Sequence, residues 1–199
     1  MSWFYFSLFS VFALAAAELT QQRLLNNKNP FSPRASAVLT FLLQGVLAVL
    51  IVLFSPLKLE IFQIFQANLL IKIVLVTLIA SIGMVFYLKS FQVKNISLST
   101  IFVSLSVVVS TTLGVIIFQE STSPVKFVGI LLILVAIVSL NYKNSVLEKN
   151  HLYGLLAGTL FGVAYTFDKS IVGSINPVVY IALSFCLVAL FGFCLTQKM

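Results

Sequence analysis

Polar and apolar residues do not alternate along this chain; they separate into long blocks. Residues 35–57, 95–119 and 170–197 are nearly free of charge, and shorter apolar runs fill most of the rest. A helix rises 1.5 Å per residue, so about 20 apolar residues match a hydrocarbon layer roughly 30 Å thick. This blocking predicts seven membrane-spanning helices at about 3–19, 36–54, 69–88, 96–118, 125–140, 152–167 and 177–195. The fold class expected is all-α, a polytopic transmembrane bundle. Backbone groups in lipid must be satisfied within a segment, which excludes open strands, and a barrel would need the alternation that is absent. All five prolines (Pro30, Pro33, Pro56, Pro124, Pro177) fall between the runs or at their ends, where a missing N–H does least damage. Ser123-Pro124 is a helix start signal, a hydroxyl to cap followed by a ring pre-set for the first turn.

Composition sharpens this picture. Hydrophobic residues make up 60% of the 199 residues and charged ones 9%, against roughly a quarter charged in a soluble domain. The net charge of +7 comes from single Lys and Arg residues scattered between apolar runs. That is a topology signal, and it argues against nucleic acid as a partner. Loops after odd-numbered spans and the tail hold eight cations (Arg23, Lys28, Arg34, Lys89, Lys94, Lys143, Lys149, Lys198), and the other loops hold four (Lys58, Lys72, Lys126, Lys169). This bias favours an external N-terminus, while the family resemblance below points the other way, so orientation stays open. The first run resembles a signal peptide ending in Ala15-Ala16-Ala17, yet no cation precedes it, and it is read as a retained helix. Cys186 and Cys194, eight residues apart on one helix, are too far apart to bridge and read as small core residues.

The chain carries a weak internal repeat. Residues 3–25 align on 151–173 at an offset of 148, pairing Tyr5 with Tyr153, Leu8 with Leu156, Ala16 with Ala164 and Leu24 with Val172. Each copy ends in a polar exit, Glu18-Leu-Thr-Gln-Gln and Thr166-Phe-Asp-Lys-Ser, and each is followed by an Asn-Pro (Asn29-Pro30, Asn176-Pro177). Five spans lie between the starts of the copies, an odd number, so the second copy crosses the membrane upside down.

These features, with Ser97-Leu-Ser-Thr-Ile-Phe, Gly114-Val-Ile-Ile-Phe-Gln-Glu120, Ser121-Thr-Ser-Pro-Val-Lys-Phe-Val-Gly129-Ile-Leu-Leu-Ile and Tyr87-Leu-Lys-Ser-Phe, resemble the EamA-like branch of the drug/metabolite transporter superfamily. The resemblance implies two inverted sets of five helices and alternating access of a small metabolite or drug-like substrate, with no cofactor and no enzymatic activity. On that pattern residues 1–143 are the first repeat and residues 151–199 begin the second. The chain is then a fragment, or a short form that completes its cavity by homodimerisation or with a separate C-terminal half. It resides in a cell membrane as a multi-pass protein whose partners are the lipid bilayer and the substrate.

Individual residues carry two readings each. Ser97, Thr100, Ser104 and Thr111 share one face of the fourth span and either line a substrate cavity or bond a neighbouring helix. Glu18, a carboxylate in the last turn of the first span, is a cavity or cation site or a headgroup contact. Glu120 is a gating or coupling carboxylate or a turn residue at a helix N-terminus. Asp168 and Lys169 border the cavity mouth or pair with each other as a surface anchor. Gln44 and Asn68 read as helix-to-helix glue or interface residues. Gly154, Gly158 and Gly162, four apart on the sixth span, let two backbones approach closely. A seven-helix receptor or retinal protein is the competing class, but residues 177–197 hold no lysine for a retinal linkage. Nothing in the sequence provides a phosphate loop, a nucleophile triad or a set of metal ligands.

Overall fold

The computed structural model describes residues 2–26, 32–57, 66–92, 96–121, 123–143 and 150–197. They form an all-α assembly of α1 (Ser2–Leu25), α2 (Pro33–Leu53), α3 (Ala67–Ser90), α4 (Ile96–Val103), α5 (Leu105–Phe118), α6 (Pro124–Lys143), α7 (His151–Val172) and α8 (Pro177–Gln197). The fourth expected span is divided into α4 and α5 at Ser104, so the seven expected segments appear as eight helices, of which α1 and α6 are not among the candidate membrane spans. Ser104 returns both its amide and its hydroxyl to the Thr100 carbonyl (3.1 Å each), and the Val107 amide turns back to the Ser104 carbonyl at 3.1 Å. A serine bonding its own preceding turn weakens helical regularity, which accounts for the interruption. Five helices among the described residues are long and apolar enough to cross a membrane: 33–53, 68–90, 99–118, 151–172 and 177–194. The protein is an integral, multi-pass membrane protein.

Helix starts follow the sequence signals. Ser32 caps α2 through the Ala35 amide (3.1 Å) with Pro33 in the first turn, and Asn176 accepts the Val178 amide (3.0 Å) ahead of α8. The Asn26 side chain, just past α1, donates to the Phe91 carbonyl at 2.9 Å, and the Asn150 side chain donates to the Gln92 carbonyl at 2.9 Å. These two amides tie the ends of α1 and α3 to the start of α7.

Two sets of contacts dominate the packing, α2 on α8 and α3 on α7, and α4 and α5 complete a third side of α7. Opposed small residues set both directions and closeness. Gly45 faces Cys186 and Gly192 faces Val38, so α2 and α8 are antiparallel; Gly83 lies under Phe161 while Phe86 stacks on Tyr153, so α3 and α7 are antiparallel. Glu18 meets Tyr87 and Asn26 meets Phe91, which makes α1 parallel to α3 and opposed to α7. Apolar residues collect in two clusters, one at each end of the bundle. Val52, Ile73, Val76, Ala164, Ile171 and Val179 form one; Leu25, Ala37, Met84, Leu88, Phe91 and Ala157 form the other.

The glycine stripe of α7 works as a close-packing face. A methyl group at Gly158 would stand 2.6 Å from the Phe102 carbonyl oxygen, and one at Gly162 would stand 2.5 Å from Val109 Cβ. One at Gly154 would sit 3.1 Å from the Ser99 carbonyl. The partner along this face is α4 and α5. Two sequence expectations are corrected. Gln44 is exposed, and the α2–α8 contact at that height is made by Gly45; Cys194 is exposed, while Cys186 is half-buried against Gly45.

Candidate functional site

A polar recess opens between α5 and α7. α5 and α7 run side by side in the same direction, because Gly158 faces Phe102 and Val103, Gly162 faces Ser106 and Val109, and Thr166 approaches the Ser110 carbonyl. Four residues later the stripe ends at Thr166, and the helices separate enough to leave a cavity of ≈ 190 Å³. Its walls are Ser110, Thr111 and Gly114 from α5, Tyr165, Thr166 and Lys169 from α7, and Glu120 from the turn beyond α5.

Glu120 reaches this place by a specific local construction. Gln119, which ends α5, has φ 51°, the left-handed conformation that reverses a helix terminus. The reversal folds Glu120 back along α5, where Gly114 leaves room for it: a Cβ at Gly114 would stand 3.1 Å from Glu120 Oε1. Glu120 Oε1 then accepts a hydrogen bond from the Lys169 ammonium, forming a salt bridge across the cavity mouth. The lysine side chain is 62% exposed and the glutamate 25%, so the pair sits at the boundary between bundle and surroundings. The sequence expectation that Asp168 and Lys169 pair with each other is corrected. Lys169 turns to Glu120, whereas Asp168 points to the other side of α7 and accepts from the Tyr180 hydroxyl. Neighbours in a helix are about 100° apart around its axis, so adjacent side chains serve different neighbours.

The other expected residues divide. Thr111 lines the cavity with Glu120 and Lys169. Ser104 is half-buried at the helix interruption and Thr100 is half-buried a turn earlier, away from the cavity. The Ser97 side chain lies outside the described residues. Thr111 donates to the Val107 carbonyl (2.7 Å), Ser110 to the same carbonyl (3.2 Å) and Thr166 to the Gly162 carbonyl (2.7 Å). Glu18 belongs to a second polar group, accepting from the Tyr87 hydroxyl at 2.5 Å. Sequence reasoning passed over Tyr87, Tyr165 and Tyr180. The usable signal was that a phenol within an apolar span needs a partner for its hydroxyl, and the carboxylates of the spans are natural acceptors.

Compared with known protein families, residues 1–142 match the EamA-like transporter family. The chain belongs to that family. No curated protein and no solved structure matches it. EamA-like membership makes the chain a membrane transporter and not an enzyme, and it gives the recess between α5 and α7 a functional context. The cavity is walled by hydroxyls and one aromatic ring, with a charged pair at its mouth.

Proposed function

We propose that this EamA-like protein moves a small metabolite or drug-like molecule by alternating access between two inverted halves, with the Glu120–Lys169 bridge acting as a latch at one end. The observation that carries the reading is the bridge itself, which joins the α5 terminus to α7 across the mouth of the polar cavity. An exposed ion pair has a small net stability, about 0–1 kcal/mol, so it can open and close at little cost. The opposed directions of α1 and α7, and of α2 and α8, support a repeat in which 1–143 is one unit and 151–199 begins its inverted counterpart. In this reading Thr111 contacts the substrate, while Ser104 supplies a flexible joint in the fourth span. Whether the cavity is completed by a second copy or by further helices is part of the same proposal.

Charge reversal tests the latch. Lys169→Glu and Glu120→Lys each place like charges across the mouth, and substrate exchange in proteoliposomes is expected to fall about tenfold for each. The double reversal restores the pair and is expected to recover most of the rate. Equal loss in the double and single variants would show that the side chains matter individually and that no latch exists.

A further inference from the structure

Beneath the Glu120–Lys169 bridge the recess has a second layer of polar atoms, all of them oxygens. Thr166 is buried and gives its single hydroxyl proton to the Gly162 carbonyl at 2.7 Å. Its oxygen also stands 3.5 Å from the Ser110 carbonyl oxygen on α5. Two oxygens therefore face each other across the α5–α7 boundary with the available proton committed elsewhere, an arrangement that a positive charge beside them relieves. The Ser110 hydroxyl belongs to the same wall. The bridge lies one helical turn further along. Gly114, against which Glu120 rests, is four residues past Ser110, and Lys169 is three past Thr166. That places the Glu120 carboxylate about 4.5–6 Å from the lower layer along the helix axes. Gly114 has no side chain to fill the gap. Hard cations hold oxygens at roughly 2.3–2.6 Å, so one ion spans two layers at this separation.

Charge and ligand type narrow the ion. Among the described lining residues Glu120 is the one carboxylate, whereas a divalent cage recruits several. The same residues include no thiol and no imidazole, the ligands that transition metals prefer. A single negative charge over hydroxyl and carbonyl oxygens suits a small monovalent metal ion. Glu120 already holds a monovalent cation, the Lys169 ammonium, which is tethered to α7 and largely exposed. Exposed ion pairs are weakly held. A diffusible cation can therefore take the place of the ammonium and leave the net charge on Glu120 balanced.

We propose that Ser110, Thr166 and Glu120 form a site for an alkali cation of the sodium type, and that this ion competes with Lys169 for Glu120 and so releases the latch. The assignment rests on the transporter reading and deepens it by naming the ion that operates the bridge. The test uses the full chain in lipid nanodiscs and follows the acylation rate of each lysine by mass spectrometry. Sodium, choline and magnesium chlorides are compared at equal ionic strength and pH. A freed Lys169 reacts faster than one bound to Glu120. Sodium is expected to raise the Lys169 rate about threefold over choline, the span that a weak exposed pair permits, and to leave Lys72 unchanged. Thr166→Val is expected to remove that response, Ser110→Ala to reduce it, and Thr166→Ser to keep it. The serine replacement separates loss of the oxygen from loss of folding. Glu120→Gln is expected to make Lys169 fast in every salt. Equal rates in sodium and choline, a rise in magnesium as large as in sodium, or a sodium response that survives Thr166→Val overturns the proposal. Sodium-dependent release of Lys169 without exchange of any solute in proteoliposomes keeps the ion site and removes the alternating-access reading. Solute exchange with no sodium response at Lys169 does the reverse.

Discussion

α1 and α7 are matched in length, in apolar character and in their alignment at an offset of 148, yet they are held in opposite ways. α7 is enclosed by α3, α4 and α5, with Ala157, Ala164 and Ile171 at 0–1% exposure. α1 leaves Phe9 at 74%, Phe12 at 68% and Leu14 at 59%, and touches the bundle through Glu18, Leu25 and Asn26 near its end. Hydrophobicity does not separate them, because in a bilayer lipid tails are as apolar as any side chain. What separates them is shape. Gly154, Gly158 and Gly162 give α7 a flat strip against which α4 and α5 lie; the aligned positions of α1 are Phe6, Ser10 and Leu14.

The largest effect is expected where that strip is filled. Gly158→Leu drives a side chain into the Phe102 and Val103 carbonyls, which are backbone and cannot rotate away. A loss above about 3 kcal/mol is expected, seen as collapse of the monodisperse yield after detergent extraction. The aligned change in α1, Ser10→Leu, lies on an exposed face and should leave the yield intact. Comparable damage from both would remove the distinction between the helices. Next in size is the Tyr87–Glu18 bond, since α1 has few other ties. Tyr87→Phe is expected to cost about 1 kcal/mol and to raise hydrogen exchange throughout the end of α1. Tyr180→Phe removes the corresponding bond of Asp168, but α7 stays clamped by its glycines, so exchange in α7 should change little. Equal loosening of both helices would mean that hydrogen bonds and not backbone proximity hold α7. Smallest is Phe9→Leu on the open face of α1, for which thermal stability in lipid should be unchanged.

The blocks of apolar residues gave the helices nearly to the residue at Pro124, His151 and Pro177, because proline, serine and asparagine mark ends locally. The glycine stripe also identified a packing face in advance, since absent side chains have one strong consequence. Partners were harder to read. Lys169 has Asp168 beside it in the chain and Glu120 49 residues away, and only the left-handed turn at Gln119 brings the distant acid closer to it. The tyrosines were missed for a similar reason: Tyr87 and Glu18 are 69 residues apart, and their meeting depends on α1 and α3 running parallel. The hydroxyl stripe was half legible. Its 3-4-7 spacing assumes one unbroken helix, whereas the span is divided at Ser104, and of the four residues Thr111 lines the recess.

The hydroxyls of the cavity have one more consequence, in the polarity of what they offer a guest. Ser110, Thr111 and Thr166 have each spent their single proton on a carbonyl of their own helix. What remains directed at the cavity is lone pairs, so these three groups form a wall that accepts and does not donate. A molecule bearing N–H or O–H groups finds partners there, whereas an acceptor-only molecule of the same size must either go unsatisfied or pull a hydroxyl out of its helix. A primary ammonium compound and its N,N,N-trimethyl counterpart share the charge and differ in the ammonium donors and in three added methyl groups. Tighter binding of the parent amine is the expected signature of such a wall, and equal binding would place the amine away from it.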